Sequence, residues 1–219
     1  MNPPAFPSTS DRPPPPPVLP GFEHVKRAWN NTYAAYAARI MPGEYYVTKS
    51  EEGIYTTLGS CISACIRDKV SGIGGMNHFM LPSGDNAGAN SWKANGLGAA
   101  ARYGNFAMEH LINGILSNGG NRANLEIKIF GGGRILAKMT DVGARNIEFV
   151  NDYIQTEGLQ LIAADVGDIF PRMVVYFPQS GRAKVKRLRS LHNNVIADQE
   201  NSYVRSIADK PVAGDVELF

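Results

Sequence analysis

Two β-rich runs flank a polar break ending in glycine, and this pattern constrains the chain more than any other. The first is Thr56-Thr57-Leu58-Gly59-Ser60-Cys61-Ile62-Ser63-Ala64-Cys65-Ile66-Arg67. The break is Asp68-Lys69-Val70-Ser71-Gly72, and the second run is Ile73-Gly74-Gly75-Met76-Asn77-His78-Phe79-Met80-Leu81-Pro82. Such an order reads as a β-hairpin. The midpoint of positions 61 and 78 falls between Lys69 and Val70, so unbulged pairing sets Cys61 directly across from His78. Opposed partners have Cβ atoms about 4.5–5.5 Å apart on one face. A thiol and an imidazole at that separation share a proton, which is how proteins make a thiolate nucleophile at neutral pH. The plain alternative is a small buried cysteine beside a satisfied histidine. Gly59 favours the chemical reading, because a tight turn there exposes the sulfur and aims backbone N–H groups at an oxyanion. Gly74 and Gly75 point the same way, leaving a strand surface bare for a closely approaching substrate. In this register Cys65 lies opposite Gly74, lacks a base, and reads as core.

The stretch Leu-Gly-Ser-Cys at 58–61, followed by Gly72-Ile73-Gly74-Gly75-Met76-Asn77-His78-Phe79-Met80-Leu81-Pro82, closely resembles the chemoreceptor glutamine deamidase family, CheD. The likeness spans roughly residues 40–190. It continues through Pro42-Gly43-Glu44-Tyr45-Tyr46-Val47, Arg102-Tyr103-Gly104-Asn105, Phe130-Gly131-Gly132-Gly133, Val142-Gly143-Ala144-Arg145-Asn146 and Val175-Tyr176-Phe177. The resemblance implies a cysteine hydrolase that converts glutamines of bacterial chemoreceptors to glutamates and also hydrolyses glutamate methyl esters. It implies Cys61 as nucleophile, His78 as its base, and a threonine shortly before the nucleophile to orient the imidazole. Thr56 and Thr57 compete for that role. Thr56 is favoured, because Thr57 then projects to the opposite strand face. The implied fold is a sandwich like that of the bacterial toxin deamidases of the cytotoxic necrotizing factor type. The implied partners are the cytoplasmic helices of methyl-accepting chemotaxis proteins and the phosphatase CheC.

Composition sets the outer bounds. With 219 residues, 43% hydrophobic and 19% charged, the chain suits one substantial soluble domain. No apolar run approaches the ~18 residues of a membrane span, and the N-terminus lacks a signal-peptide pattern. A net charge of +2 is too small to point to nucleic acid. Two cysteines, one of them a reactive candidate, argue against a disulfide framework and for a reducing cytoplasm. Cys61-x-x-x-Cys65 does not have zinc spacing.

The sequence divides into four stretches. Residues 1–20 hold nine of the 14 prolines and read as a disordered or polyproline II spacer. Residues 21–40 read as an N-terminal arm, either a short surface helix or a loosely ordered segment. Residues 41–191 form the expected catalytic domain, and 192–219 a polar tail. The fold class expected is α+β, with mostly antiparallel sheet layers flanked by two helices. The first helix runs from about Gly98 to Leu116, with Met108, Leu111, Ile112 and Ile115 on one stripe. The second, about 144–157, presents Ile147, Val150 and Ile154. Strands are expected near 45–47, 125–130 and 159–164. A second hairpin pairs 173–177 with 183–188 across Pro178-Gln179-Ser180-Gly181. Residues 83–97 read as a long loop. Gly131-Gly132-Gly133 lacks the following lysine of a phosphate loop and reads as close backbone packing. The tail from Glu200 to Lys210 offers one or two amphipathic turns around Tyr203, Val204 and Ile207.

The chemistry expected is acyl transfer without metal or organic cofactor. The Cys61 thiolate attacks a carboxamide carbon, His78 protonates the departing ammonia, and water activated by His78 hydrolyses the thioester. Backbone N–H groups near Ser60 and Cys61 hold the oxyanion, and Ser60 either joins them or caps the turn. Asn77 reads as structural, and His24, His110 and His192 as surface or packing residues. Arg182, Lys184 and Lys186 alternate along one strand face. That face is either a solvated edge or a surface that steers an acidic partner. Two rivals remain open. One is a predominantly methylesterase activity through the same pair, and the other is a non-catalytic adaptor that binds receptors or CheC.

Overall fold

The computed structural model describes residues 12–81, 99–134 and 142–188, together with 195–196, 198–200 and 202–203. The expected long loop at 83–97 and His192 lie outside the described residues. Ten strands form two five-stranded sheets. One sheet joins β1 (Arg27–Asn30), β2 (Ala35–Arg39), β4 (Gly53–Leu58), β9 (Arg172–Phe177) and β10 (Arg182–Arg187), in that order. The other runs β3 (Tyr45–Thr48), β6 (Gly74–Asn77), β5 (Ile62–Asp68), β7 (Leu125–Gly131) and β8 (Gln160–Val166). Pairings are antiparallel except β2 with β4 and β7 with β8. The expected α+β class with mostly antiparallel sheet is therefore present.

Helices α1 (Ala99–Ser117) and α2 (Val142–Thr156) cover the second sheet, α1 over β3, β6 and β5, and α2 over β5 and β8. The apolar stripe drives this packing, since Met108, Leu111, Ile112 and Ile115 are all fully buried. Burying each such side chain contributes about 1.5–3 kcal/mol. Strand β5 is covered on both faces, so its residues are buried in a nearly continuous run rather than an alternating one.

Residues 22–40 are neither helix nor loose arm. They form the β1–β2 hairpin, in which Asn30 Oδ1 accepts from the N–H groups of Thr32 and Tyr33 and turns the chain. The proline-rich segment is also more engaged than a spacer from residue 12 onward. Arg27 Nη1 donates to Pro16 O (2.7 Å), Tyr36 Oη donates to Pro13 O (3.1 Å), and Leu19 and Phe22 enter the core.

The Cys/His hairpin forms, but its register differs from the symmetric expectation. Cys65 pairs with Met76 rather than Gly74, and Ile62 bridges Phe79. The turn closes between Asp68 and Ile73, centred one residue later than expected. The Asp68 carboxylate is the cause, since it accepts from the N–H groups of Val70, Ser71 and Asn121 and holds Asp68 in the ladder. Cys61 and His78 thus become diagonal neighbours. The shift moves the pairing by an even step, so both remain on the same face.

Gly74 and Gly75 do not leave an open surface for substrate. A Cβ on Gly75 would lie 2.4 Å from Tyr46 O and 2.8 Å from Leu111 Cδ1. These glycines admit a neighbouring strand and α1, which is a packing role.

Candidate active site

The site lies where the chain leaves one sheet for the other. Strand β4 ends at Leu58, Gly59 and Ser60 turn, and Cys61 immediately precedes β5. The end of β7 holds this turn from one side, where Gly132 N donates to Cys61 O and Gly133 N to Gly59 O, each at 2.7 Å. Only glycine allows that approach, since a Cβ on Gly131 would lie 2.1 Å from Cys61 O at a φ of +111°. The expectation of close backbone packing at the glycine triplet is thus observed. Asn146 on α2 holds the turn from another side. Its Nδ2 donates to Ser60 O (2.8 Å) and its Oδ1 accepts from Leu81 N (3.0 Å).

His78 follows β6, and its backbone is clamped by two bonds to residues 43 and 44. Gly43 N donates to His78 O, and His78 N donates to Glu44 O. Its ring reaches the other sheet. Thr56 Oγ1 lies 2.7 Å from Nδ1 and also donates to Ile40 O at 2.8 Å. A hydroxyl has one proton, so with that proton on Ile40 the threonine oxygen accepts from Nδ1–H. This fixes the tautomer and leaves Nε2 as the acceptor. Nε2 is buried with no hydrogen-bond partner among the described residues. Thr57 lies on the other face of β4, half-buried.

Cys61, His78 and Glu200 converge. The Cys61 sulfur, an imidazole nitrogen and a Glu200 carboxylate oxygen all lie within 4.8 Å of one another, and all three residues are buried. Glu200 Oε1 accepts from Gly59 N (2.8 Å) and Cys61 N (3.1 Å). Its Oε2 accepts from Ser60 N (2.9 Å) and Ser60 Oγ (2.6 Å). Three consecutive N–H groups and a hydroxyl therefore surround one carboxylate. This is an anion-binding nest, and its four bonds fill the carboxylate's acceptor sites. The donors suit an anion rather than a metal ion.

Burial sets the protonation states. It pushes the Cys61 thiol well above its ordinary value, and the Glu200 carboxylate adds to the rise. It pushes His78 down from 6.5 to about 4, against the pull of Glu200. The pair therefore rests as neutral thiol and neutral imidazole, not as the ready thiolate expected from a paired cysteine and histidine. Desolvation and a third, acidic side chain account for the difference. Burial raises the Tyr103 hydroxyl on α1 above its ordinary value, and a thiolate formed at Cys61 would raise it further. Cys65 is fully buried in β5, with its thiol also raised by burial.

The family described as CheD chemotactic sensory transduction matches residues 80–187. A relative from Halorhodospira halophila, named probable chemoreceptor glutamine deamidase CheD, is 54% identical over 93% of this chain and 94% of its own. The chain belongs to the CheD family. Relatives of the same name from Hydrogenovibrio crunogenus and Hahella chejuensis are 54% and 49% identical. They cover 83% and 97% of this chain, and 93% and 99% of their own.

In this CheD family member, sequence reasoning missed two site residues, Asn146 and Glu200. Asn146 appears in the sequence only as part of a family-like motif, and nothing in the motif says that its amide pins the Cys61 turn. Glu200 sits in a polar tail, and its one signal is helical spacing with Ile196 and Tyr203. Asn77 is a structural residue, accepting from Ala64 N and donating to Ala107 O. His110 packs against Phe106 and Tyr45, and His24 is exposed.

Proposed function

We propose that this chain deamidates glutamine side chains of bacterial chemoreceptors through a Cys61 thioester. One observation carries the reading. A thiol, an imidazole whose acceptor nitrogen has no hydrogen-bond partner among the described residues and a nest of three N–H groups meet at a single buried point. Acyl transfer needs these three parts. His78 Nε2 takes the thiol proton as Sγ attacks the amide carbon. The carbonyl oxygen moves into the nest of Gly59, Ser60 and Cys61. The imidazolium then protonates the leaving ammonia, and neutral His78 activates the water that hydrolyses the thioester. Thr56 acts through His78 by holding its proton on Nδ1. The whole-chain likeness to relatives named as glutamine deamidases supports the choice of substrate.

The family resemblance adds two finer readings to the proposal: a sandwich like that of the necrotizing-factor type deamidases, and CheC as a second partner. The reducing cytoplasm suits two free, buried cysteines, and no described helix is long and apolar enough to cross a membrane. Arg182, Lys184 and Lys186 project from the edge strand β10 and steer the acidic receptor helices toward the cleft.

The test is incubation of the purified protein with a receptor cytoplasmic fragment, followed by peptide mass spectrometry. Each modified glutamine gains about 1 Da. Loss of ester methyl groups with no change at any glutamine would replace the deamidase reading with the methylesterase one. No change at either kind of site would leave the adaptor.

A further inference from the structure

Glu200 is the nearest thing to a ligand in this cleft. It reaches the nest from residues 195–203, which are helical wherever described. Ile196, Glu200 and Tyr203 fall at i, i+4 and i+7, one helix face. Ile196 and Glu200 are buried and Tyr203 is half-buried, whereas Val195, Asp198, Gln199 and Ser202 face out. Tyr203 packs edge-on to Tyr103 and over Gly43. Between this helix and the β2–β3 connection lies a cavity of about 180 Å³, lined by Met41, Pro42, Thr56, His78, Ile196 and Glu200 among others.

A glutamate side chain is the product of glutamine deamidation. We propose that the helical segment around Glu200 occupies the acyl-binding cleft in cis as a product mimic, so that a receptor helix enters only when this segment withdraws. The proposal rests on the deamidase reading of the same site. It also describes the ligand the cleft takes, which is a helix presenting its reactive side chain inward. An apolar residue lies four positions before that side chain, and an aromatic one three positions after it. Buried apolar contact on both sides gives the register. The nest gives the seat for the acyl oxygen.

The consequences are measurable. If the segment closes the cleft nine-tenths of the time, the apparent affinity for a helical substrate falls about tenfold. Glu200→Ala and, independently, Ile196→Asp should therefore lower KM for the receptor fragment about tenfold with kcat little changed. Both should also speed alkylation of Cys61 by iodoacetamide at pH 8 about tenfold, with the modified residue identified by peptide mapping. Glu200→Gln gives a sharper result, because it places a substrate side chain in the seat. Cys61 Sγ would bond to the amide carbon of the introduced side chain, ammonia would leave with a proton from His78, and water would cleave the thioester. The net change is glutamine plus water to glutamate plus ammonia. Position 200 would then be found as glutamate at a rate independent of protein concentration, and would remain glutamine in the Cys61→Ala, Glu200→Gln double variant. The proposal is overturned if wild type deamidates the receptor fragment while the amide introduced by Glu200→Gln stays intact and neither loosening variant changes KM or alkylation. Faster alkylation in both loosening variants, with no receptor deamidation by any form, would keep the cis occupancy and remove the deamidase reading instead.

Discussion

The hydrogen bond from His78 Nδ1 to Thr56 decides what the imidazole can do. Because Thr56 spends its own proton on Ile40 O, Nδ1 keeps its hydrogen and Nε2 is left as the acceptor nitrogen. Thr56→Val should lower kcat about 10- to 100-fold with KM little changed. Thr56→Ser, which keeps the hydroxyl, should restore most of the rate. Equal loss in both variants would show that the methyl packing matters and the tautomer does not. Burial of His78 has a second consequence, for stability. The unfolded imidazole takes up a proton near pH 6.5, the folded one only near 4. The unfolded state therefore binds more protons in that window, so stability falls as pH drops through it. The loss is at most about 1.4 kcal/mol per pH unit. Urea unfolding at pH 7, 6 and 5 should show the decline, and His78→Asn should flatten it.

Among the elements, the end of β7 is the part with least tolerance. Its glycines admit the Cys61 turn at contact distance, and Gly131→Ala would drive a methyl into Cys61 O at a left-handed φ. That variant should lose about 1–3 kcal/mol of stability and most of its activity, whereas Gly119→Ala, also at positive φ but with open space around it, should lose stability and keep turnover. Comparable losses of activity in the two would separate β7 from the site. Elements with a clear period were legible in the sequence, namely the α1 stripe, α2 and the β9–β10 hairpin. The β1–β2 hairpin was not, because Ala34-Ala35-Tyr36-Ala37-Ala38 carries helix-forming residues and becomes strand through pairing with β1 and β4. The Cys61–His78 pairing was legible in its face but not its register, since the side chain of Asp68 sets the turn. Thr56 could be favoured over Thr57 from strand alternation alone. Glu200 could not be found, because a carboxylate in a polar tail means nothing until the N–H groups it meets are placed.

At the scale of the whole molecule, one core ties both sheets, both helices and the segment before β1 together. Leu19, Phe22 and Val25 belong to the same cluster as Ile54, Leu58 and Ile62. A chain beginning at Gly21 should therefore lose the burial of Leu19, about 1–3 kcal/mol. It should melt several degrees lower while turning over at the normal rate, and an unchanged melting temperature would show that the segment contributes nothing. Arg172, opposite Leu58 in the first sheet, also joins the two sheets, reaching from β9 to Asp165 Oδ1 on β8 at 2.6 Å. These ties hold β4, β5 and β6 in the arrangement that brings Thr56, Cys61 and His78 to one point. Whether that point is a deamidation centre is tested most directly by comparing the two cysteines. Cys61→Ala and Cys65→Ala are each incubated with the receptor cytoplasmic fragment, with folding checked by circular dichroism. Glutamine conversion should vanish in Cys61→Ala and persist in Cys65→Ala, which has the same fully buried sulfur but lies outside the site. Conversion that survives in a folded Cys61→Ala protein would contradict the account.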